Sequence, residues 1–144
     1  MPALSRNNMN NGSMSYETLI AATGSVVIEP VGISMLPFLK EGRDSVRLVK
    51  PVDAPERYDI VLYRVNGEYV LHRIIGFDGN KYIICGDNCR VWERGYGVDD
   101  IIAVVYTIYR NGKPEKTHCL KNRIYERLWC SSILKRLVMK IKSK

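Results

Sequence analysis

Apolar and polar residues alternate in short runs through most of the chain, and a helical period takes over only from Leu120 onward. Residues 15–22 predict a short helix, capped by Ser15 and stopped by Gly24, and residues 25–31 follow as a strand rich in β-branched side chains. Residues 45–49 alternate as a second strand, whereas the two prolines in 51–57 predict a loop. The clearest local signal is Asn66-Gly67 between the apolar runs 60–65 and 68–76, the pattern of a tight hairpin. A further turn at Asp78-Gly79-Asn80 leads to a strand over 81–85, which makes an antiparallel meander. Gly86-Asp87-Asn88 ends it, 90–97 reads as a charged, glycine-containing loop, and 101–109 is the longest apolar strand before the Asn111-Gly112 turn. Beyond it, Leu120, Ile124, Leu128, Leu134, Val138 and Ile141 fall within an arc of about 140° on a helix. Arg127, Lys135 and Lys142 intrude on that stripe, and Trp129, Ile133 and Leu137 lie off it. The fold class expected is therefore mainly β, a compact antiparallel fold with a short N-terminal helix and a basic C-terminal helix.

Composition adds little to this picture, but charge adds more. At 144 residues, with 46% hydrophobic and 26% charged positions, the chain is sized for one conventional core. Its net charge of +7 is confined to the end. Residues 1–120 balance, while 121–144 hold Lys121, Arg123, Arg127, Lys135, Arg136, Lys140, Lys142 and Lys144 against Glu126 alone. A neutral body with a basic, apolar-rich end suits an anionic membrane surface or an acidic partner better than nucleic acid. Residues 1–14, rich in Asn, Ser and Met, read as a disordered leader. The first 25 residues lack a charged start followed by an apolar run, and no apolar stretch approaches the ~18 residues of a membrane span. These features predict a cytoplasmic protein, or one peripheral on the inner face of the cytoplasmic membrane. Cys85, Cys89, His118 and Cys119 fit the usual zinc spacings poorly, so neither metal nor other cofactor is expected.

Candidate chemistry centres on Gly32-Ile33-Ser34-Met35-Leu36-Pro37. Pro37 disfavours the α region for Leu36, and Gly32 has access to backbone angles closed to other residues, so the segment is a stiff turn carrying one serine. Ser34 can be a nucleophile there, or it can cap a short helical turn. A serine nucleophile needs a base. His118 lies in a charged segment with no apolar frame, whereas His72 shares one strand face with Val70 and Ile74. A histidine so placed is either a core residue or a general base. Asp87 opens the loop after the next strand, where it can orient His72 or simply serve the turn.

In order and spacing, Gly32-x-Ser34-Met35-x-Pro37, Tyr58-Asp59-Ile60-Val61-Leu62-Tyr63, Leu71-His72-Arg73-Ile74-Ile75 and Cys85-Gly86-Asp87-Asn88 resemble the superfamily that unites type I signal peptidases with the self-cleaving SOS-response repressors. The resemblance spans more than half the chain. It implies a β-fold serine endopeptidase, here residues 15–119, with Ser34 as nucleophile; the charge and helical period set off 120–144 as a basic amphipathic helical tail. In bacterial signal peptidases and the repressors the base is a lysine; no lysine lies between residues 50 and 81 here, and His72 stands where the endoplasmic-reticulum and archaeal type has its histidine. Asp87 would support that base, and Asp99 or Asp100, though poorly aligned, are the candidates for the second, later aspartate that some members use. The oxyanion donors would be backbone N–H groups, that of Ser34 first, with Gly32 at the position where some relatives carry a hydroxyl.

Departures from the pattern concern the substrate. Arg43 interrupts the usual Gly-Asp after the serine motif, and the chain's own pattern leads one to expect neither the membrane anchor of the signal peptidases nor the helix-turn-helix of the repressors. The activity implied is cleavage of a signal- or leader-like peptide in a peptide or preprotein, with no nucleic-acid partner. The alternatives are a catalytically silent peptide-binding module of the same fold and a peripheral membrane adaptor working through residues 121–144.

Overall fold

The structure, a computed structural model, describes residues 14–130 and the helix Ile133–Lys142; the leader expected over residues 1–14 lies, but for Met14, outside the described residues. A first helix, α1 (Tyr16–Thr23), is capped by the Ser15 hydroxyl, which accepts from Thr18 N–H, and ends at Gly24 with φ +87°. Eight strands follow: β1 (Ser25–Ile28), β2 (Asp44–Val49), β3 (Ile60–Val65), β4 (Glu68–Asp78), β5 (Lys81–Cys85), β6 (Glu93–Tyr96), β7 (Ala103–Arg110) and β8 (Lys113–Lys116). They form one antiparallel sheet in the order β1-β2-β7-β3-β4-β5-β6, with β8 paired to β7. The chain ends in α2 (Leu120–Tyr125), a π-helical turn (Glu126–Cys130) and α3 (Ile133–Lys142).

The meander β3-β4-β5 positions the site, and its first hairpin forms for the reason legible in the sequence. Asn66 and Gly67 both take positive φ, at 51° and 81°, which matches the twist of a two-residue hairpin turn. That turn pairs Val65 with Glu68, and the register then places Val61 opposite His72 and Ile60 opposite Arg73. Side chains alternate between two cores. Ile60, Leu62 and Leu71 join Met35, Phe38, Leu39 and Val46 on one side, while Val61, Tyr63, Val70 and Ile74 join Tyr82 and Ile84 on the other. The middle of β4 is therefore buried on both faces, and its two polar residues, His72 and Arg73, are buried on opposite ones.

Four details differ from the sequence pattern. The first strand ends at Ile28 rather than residue 31, ahead of Pro30, which has no N–H to give a ladder. The loop 90–97 contains β6, and the charged segment after Asn111-Gly112 contains β8 with Pro114. Both are short, charged edge strands without the alternation that marks a half-buried one. The predicted helical stripe faces outward: Leu120, Ile124, Leu128 and Ile141 are exposed, while Asn122, Glu126, Trp129 and Met139 are buried. Leu134 and Lys142 carry side chains outside the described residues. Among the described residues no helix is long and apolar enough to cross a membrane.

Candidate active site

Ser34 sits on the turn between β1 and β2. Met35, Phe38 and Leu39 anchor that turn in the first core, the Leu39 N–H donates to the Met35 carbonyl, and Gly32 adopts φ +86°. Ile33 and Pro37 stay exposed, which leaves Ser34 half-buried at the surface end of the turn. The Gly86-Asp87-Asn88 loop after β5 is laced to the same turn. Asn88 donates its backbone N–H to the Ser34 carbonyl at 2.8 Å and its side-chain amide to the Ile33 carbonyl at 3.1 Å.

His72 comes to this turn from the other side of the loop. A Cβ placed on Gly86 would lie 2.7 Å from both the Ser34 carbonyl oxygen and Cys89 Sγ and 3.0 Å from His72 Cδ2, so the serine backbone, the Cys89 thiol and the imidazole all crowd one glycine. Only glycine fits between them. Gly86→Ala is expected to push the Ser34 turn away from the His72 ring, because one contact is backbone and another a ring held in a core. The check is the His72 imidazole NMR shift, which should move while the strand amides stay put.

The imidazole is held at one end only. Tyr63 Oη lies 3.3 Å from His72 Nδ1, and both groups are buried. Nε2 is buried and makes no hydrogen bond among the described residues; Ser34 and His72 do not bond each other directly. Burial depresses the His72 pKa to about 4, and the Lys135 ammonium pushes in the same direction against the opposing pull of Asp87. The ring is therefore neutral at pH 7 and can accept a proton. Burial holds the Tyr63 phenol far above its usual range, so it stays protonated.

Asp87 does not bond the histidine. Its carboxylate forms a two-pronged ion pair with Arg73, at 2.9 Å from both Nε and Nη2, and accepts the Tyr125 hydroxyl at 2.8 Å. Trp129 Nε1 donates to the Asp87 carbonyl at 2.8 Å. Asp87 thus acts on His72 through its charge and not through a hydrogen bond, Tyr63 is the hydrogen-bond partner of Nδ1, and the Asp87 contacts anchor the loop that carries Gly86 and Asn88. Asp99 and Asp100 lie in a 3₁₀ turn, where Asp100 accepts the Gly97 N–H, and neither bonds Ser34 or His72. Of the two backbone N–H groups expected as oxyanion donors, that of Gly32 is already given to Glu41 Oε2 at 2.8 Å, whereas that of Ser34 has no acceptor among the described residues. Only the latter is open to an incoming oxyanion.

The C-terminal helices complete this region. Lys135 Nζ donates to the Gly86 carbonyl at 3.1 Å and lies 3.6 Å from Cys85 Sγ, and Arg90 holds the Met139 carbonyl at 2.5 Å. Between α3 and the loop lies a cleft of about 420 Å³, lined by Ile75, Trp92 and Met139 among its apolar residues and also by Asp87 and Cys89. Tyr63 was within reach of sequence reasoning, because the hairpin register makes it a diagonal neighbour of His72. Lys135, far along the chain from Gly86, carried no such signal.

His118, set aside in the sequence for want of a frame, has a polar one. Its Nε2 lies 2.6 Å from Asp59 Oδ1 and its Nδ1 3.1 Å from Glu126 Oε1, and hydrogen bonds to these carboxylates raise its pKa to about 9. The two histidines give opposite pH dependences. Raising the pH from about 4 to 6.5 removes the cost of keeping His72 neutral, about 3 kcal/mol, because the unfolded chain binds the extra proton there. Between 6.5 and about 9 the folded state holds the extra proton on His118, and that stabilisation is lost as pH rises. Urea midpoints should peak near pH 6.5, and His118→Gln should flatten the alkaline limb alone.

No group of three or more His, Cys, Asp or Glu side chains among the described residues could hold a metal ion. Comparison with family models, with curated proteins and with solved structures finds no match to this chain.

Proposed function

We propose that the chain is a serine endopeptidase of the signal peptidase and SOS-repressor type, of the histidine-base subtype, cleaving a signal- or leader-like peptide in the cytoplasm or at the inner membrane face. One observation carries this reading: a buried imidazole nitrogen, His72 Nε2, has no hydrogen-bond partner among the described residues, and the same ring packs against Gly86 beside the Ser34 carbonyl. An orphaned polar atom of this kind costs about 1–3 kcal/mol and calls for a use. The Tyr63 Oη–His72 Nδ1 bond can run in either direction; in the tautomer with the hydrogen on Nδ1, Nε2 is the accepting nitrogen for a serine proton. Nucleophile–base bonds are commonly long in substrate-free enzymes and tighten when substrate is bound.

In the reaction Ser34 Oγ attacks the scissile carbonyl carbon while its proton passes to His72 Nε2. The oxyanion accepts the Ser34 N–H. Collapse expels the amine, which takes the proton from His72, and water activated by the same imidazole then releases the acyl group from Ser34. The resemblance of the four motifs supports this assignment, as does the neutral state of His72. Exposure of the purified chain to a serine-directed acylating probe, with the adduct located by mass spectrometry, tests it: Ser34 should label and His72→Ala should suppress the label. Labelling at other serines, unchanged by His72→Ala, would overturn the reading.

The absence of a direct Ser34–His72 bond favours the silent peptide-binding module as the alternative. Tight peptide binding without turnover, indifferent to Ser34→Ala, would identify it.

A further inference from the structure

The outward faces of the C-terminal helices invert the usual amphipathic arrangement. Along α2 and the π turn, Leu120, Ile124 and Leu128 stand about one turn apart and are 77%, 51% and 59% exposed, while Asn122, Glu126 and Trp129 point inward. The inversion has a cause. The inward positions are occupied by partners of the polar network: Glu126 bonds His118 and Arg73, Asn122 bonds Glu115 and the Thr117 carbonyl, and Trp129 bonds the Asp87 carbonyl. In α3, Lys135 and Met139 turn to the body, whereas Leu137 and Ile141 are 55% and 74% exposed, with Arg136 and Lys140 exposed beside them. Scattered apolar residues are normal on a surface, but two helical segments with apolar rows facing solvent mark an interaction site.

Charge selects the partner. The segment 121–144 holds eight basic residues and one acid, and that acid, Glu126, is buried between Arg73 and His118. Lys135 turns inward and Lys121 pairs with Glu115, but Arg123, Arg136 and Lys140 are exposed, so the surface of these helices presents positive charge and hydrocarbon together. We infer that this face docks on an anionic membrane surface, with Leu120, Ile124, Leu128, Leu137 and Ile141 entering the boundary between headgroups and acyl chains and the flanking Lys and Arg side chains meeting lipid phosphates. A second copy of the chain would bring two positive faces together. Nucleic acid would reward the cations but leave the apolar rows unused. The inference is independent of whether Ser34 reacts.

Flotation of the full chain with phosphatidylcholine vesicles, with and without phosphatidylglycerol, at low and high salt provides the test. Binding is expected only with phosphatidylglycerol, and it should weaken as salt screens the charges. The triple variant Leu120→Ser, Ile124→Ser, Leu128→Ser should lower the partition more than about tenfold, and Arg136→Gln about fivefold. If the triple variant loses its circular dichroism, Leu120→Ser alone, at the most exposed of the three positions, should still reduce binding by about threefold. Failure of the wild type to float with anionic vesicles at low salt would overturn the inference. So would wild-type binding by both serine variants, or a concentration-dependent dimer that the serine variants abolish while vesicle binding stays absent.

Discussion

Ser34→Ala and His72→Ala are each expected to reduce kcat/KM on a cleavable leader-like peptide by about 10⁴-fold, with KM little changed. In the proposed mechanism both groups act only as the tetrahedral intermediate forms, where loss of either one removes nearly the whole contribution of the pair. The double variant should therefore be no worse than either single. Tyr63→Phe offers a finer readout. It keeps the ring that packs on Tyr96 at 4.9 Å but removes the oxygen facing His72 Nδ1, so the imidazole loses its orientation and its tautomer preference while retaining its burial. A smaller loss, about tenfold, is expected. The pH profile separates a base from a packing residue: the acid limb of kcat/KM should have its midpoint near the depressed His72 pKa of about 4, well below the ordinary histidine value. Turnover in His72→Ala comparable to wild type would remove His72 from the mechanism.

Arg73→Met should be the most destabilising single change in the body, costing about 3–5 kcal/mol by urea denaturation. Arg73 is fully buried, pairs with both oxygens of Asp87, donates to the Tyr58 carbonyl at 3.0 Å and lies 4.5 Å from the centre of the Phe38 ring. Methionine would fill much of the space but leave the Asp87 carboxylate buried with the Tyr125 hydroxyl as its remaining donor. That loss is a large share of the ~5–15 kcal/mol that holds a domain together. The double change Arg73→Met with Asp87→Leu should recover a good part of it, since an apolar pair of similar volume often replaces a buried ion pair at little cost. A loss below about 1 kcal/mol for Arg73→Met would show that the pair does not hold the loop.

The hairpin that carries His72 was legible because Asn-Gly has a local conformational preference that needs no tertiary help. The same is true of α1, whose cap and stop are Ser15 and Gly24. The edge strands β6 and β8 were not, because their pairing is decided by a neighbouring strand and not by their own side chains. The faces of the C-terminal helices were misleading for a physical reason: the period placed leucine and isoleucine on one side, but the inside of this part of the molecule holds buried ionic and hydrogen-bonding groups and needs Asn122, Glu126 and Trp129.

At the candidate site the sequence by itself determined the types of side chain, the stiff turn at Ser34 and the strand face of His72, all of which follow from local backbone preference and period. Tertiary structure alone decided what those groups meet. It brought Gly86 between Ser34 and His72, gave the second imidazole nitrogen to Tyr63, and turned Asp87 to Arg73. Such pairings join residues distant along the chain, and the penalty for an unpaired buried charge, rather than any local propensity, selects among them.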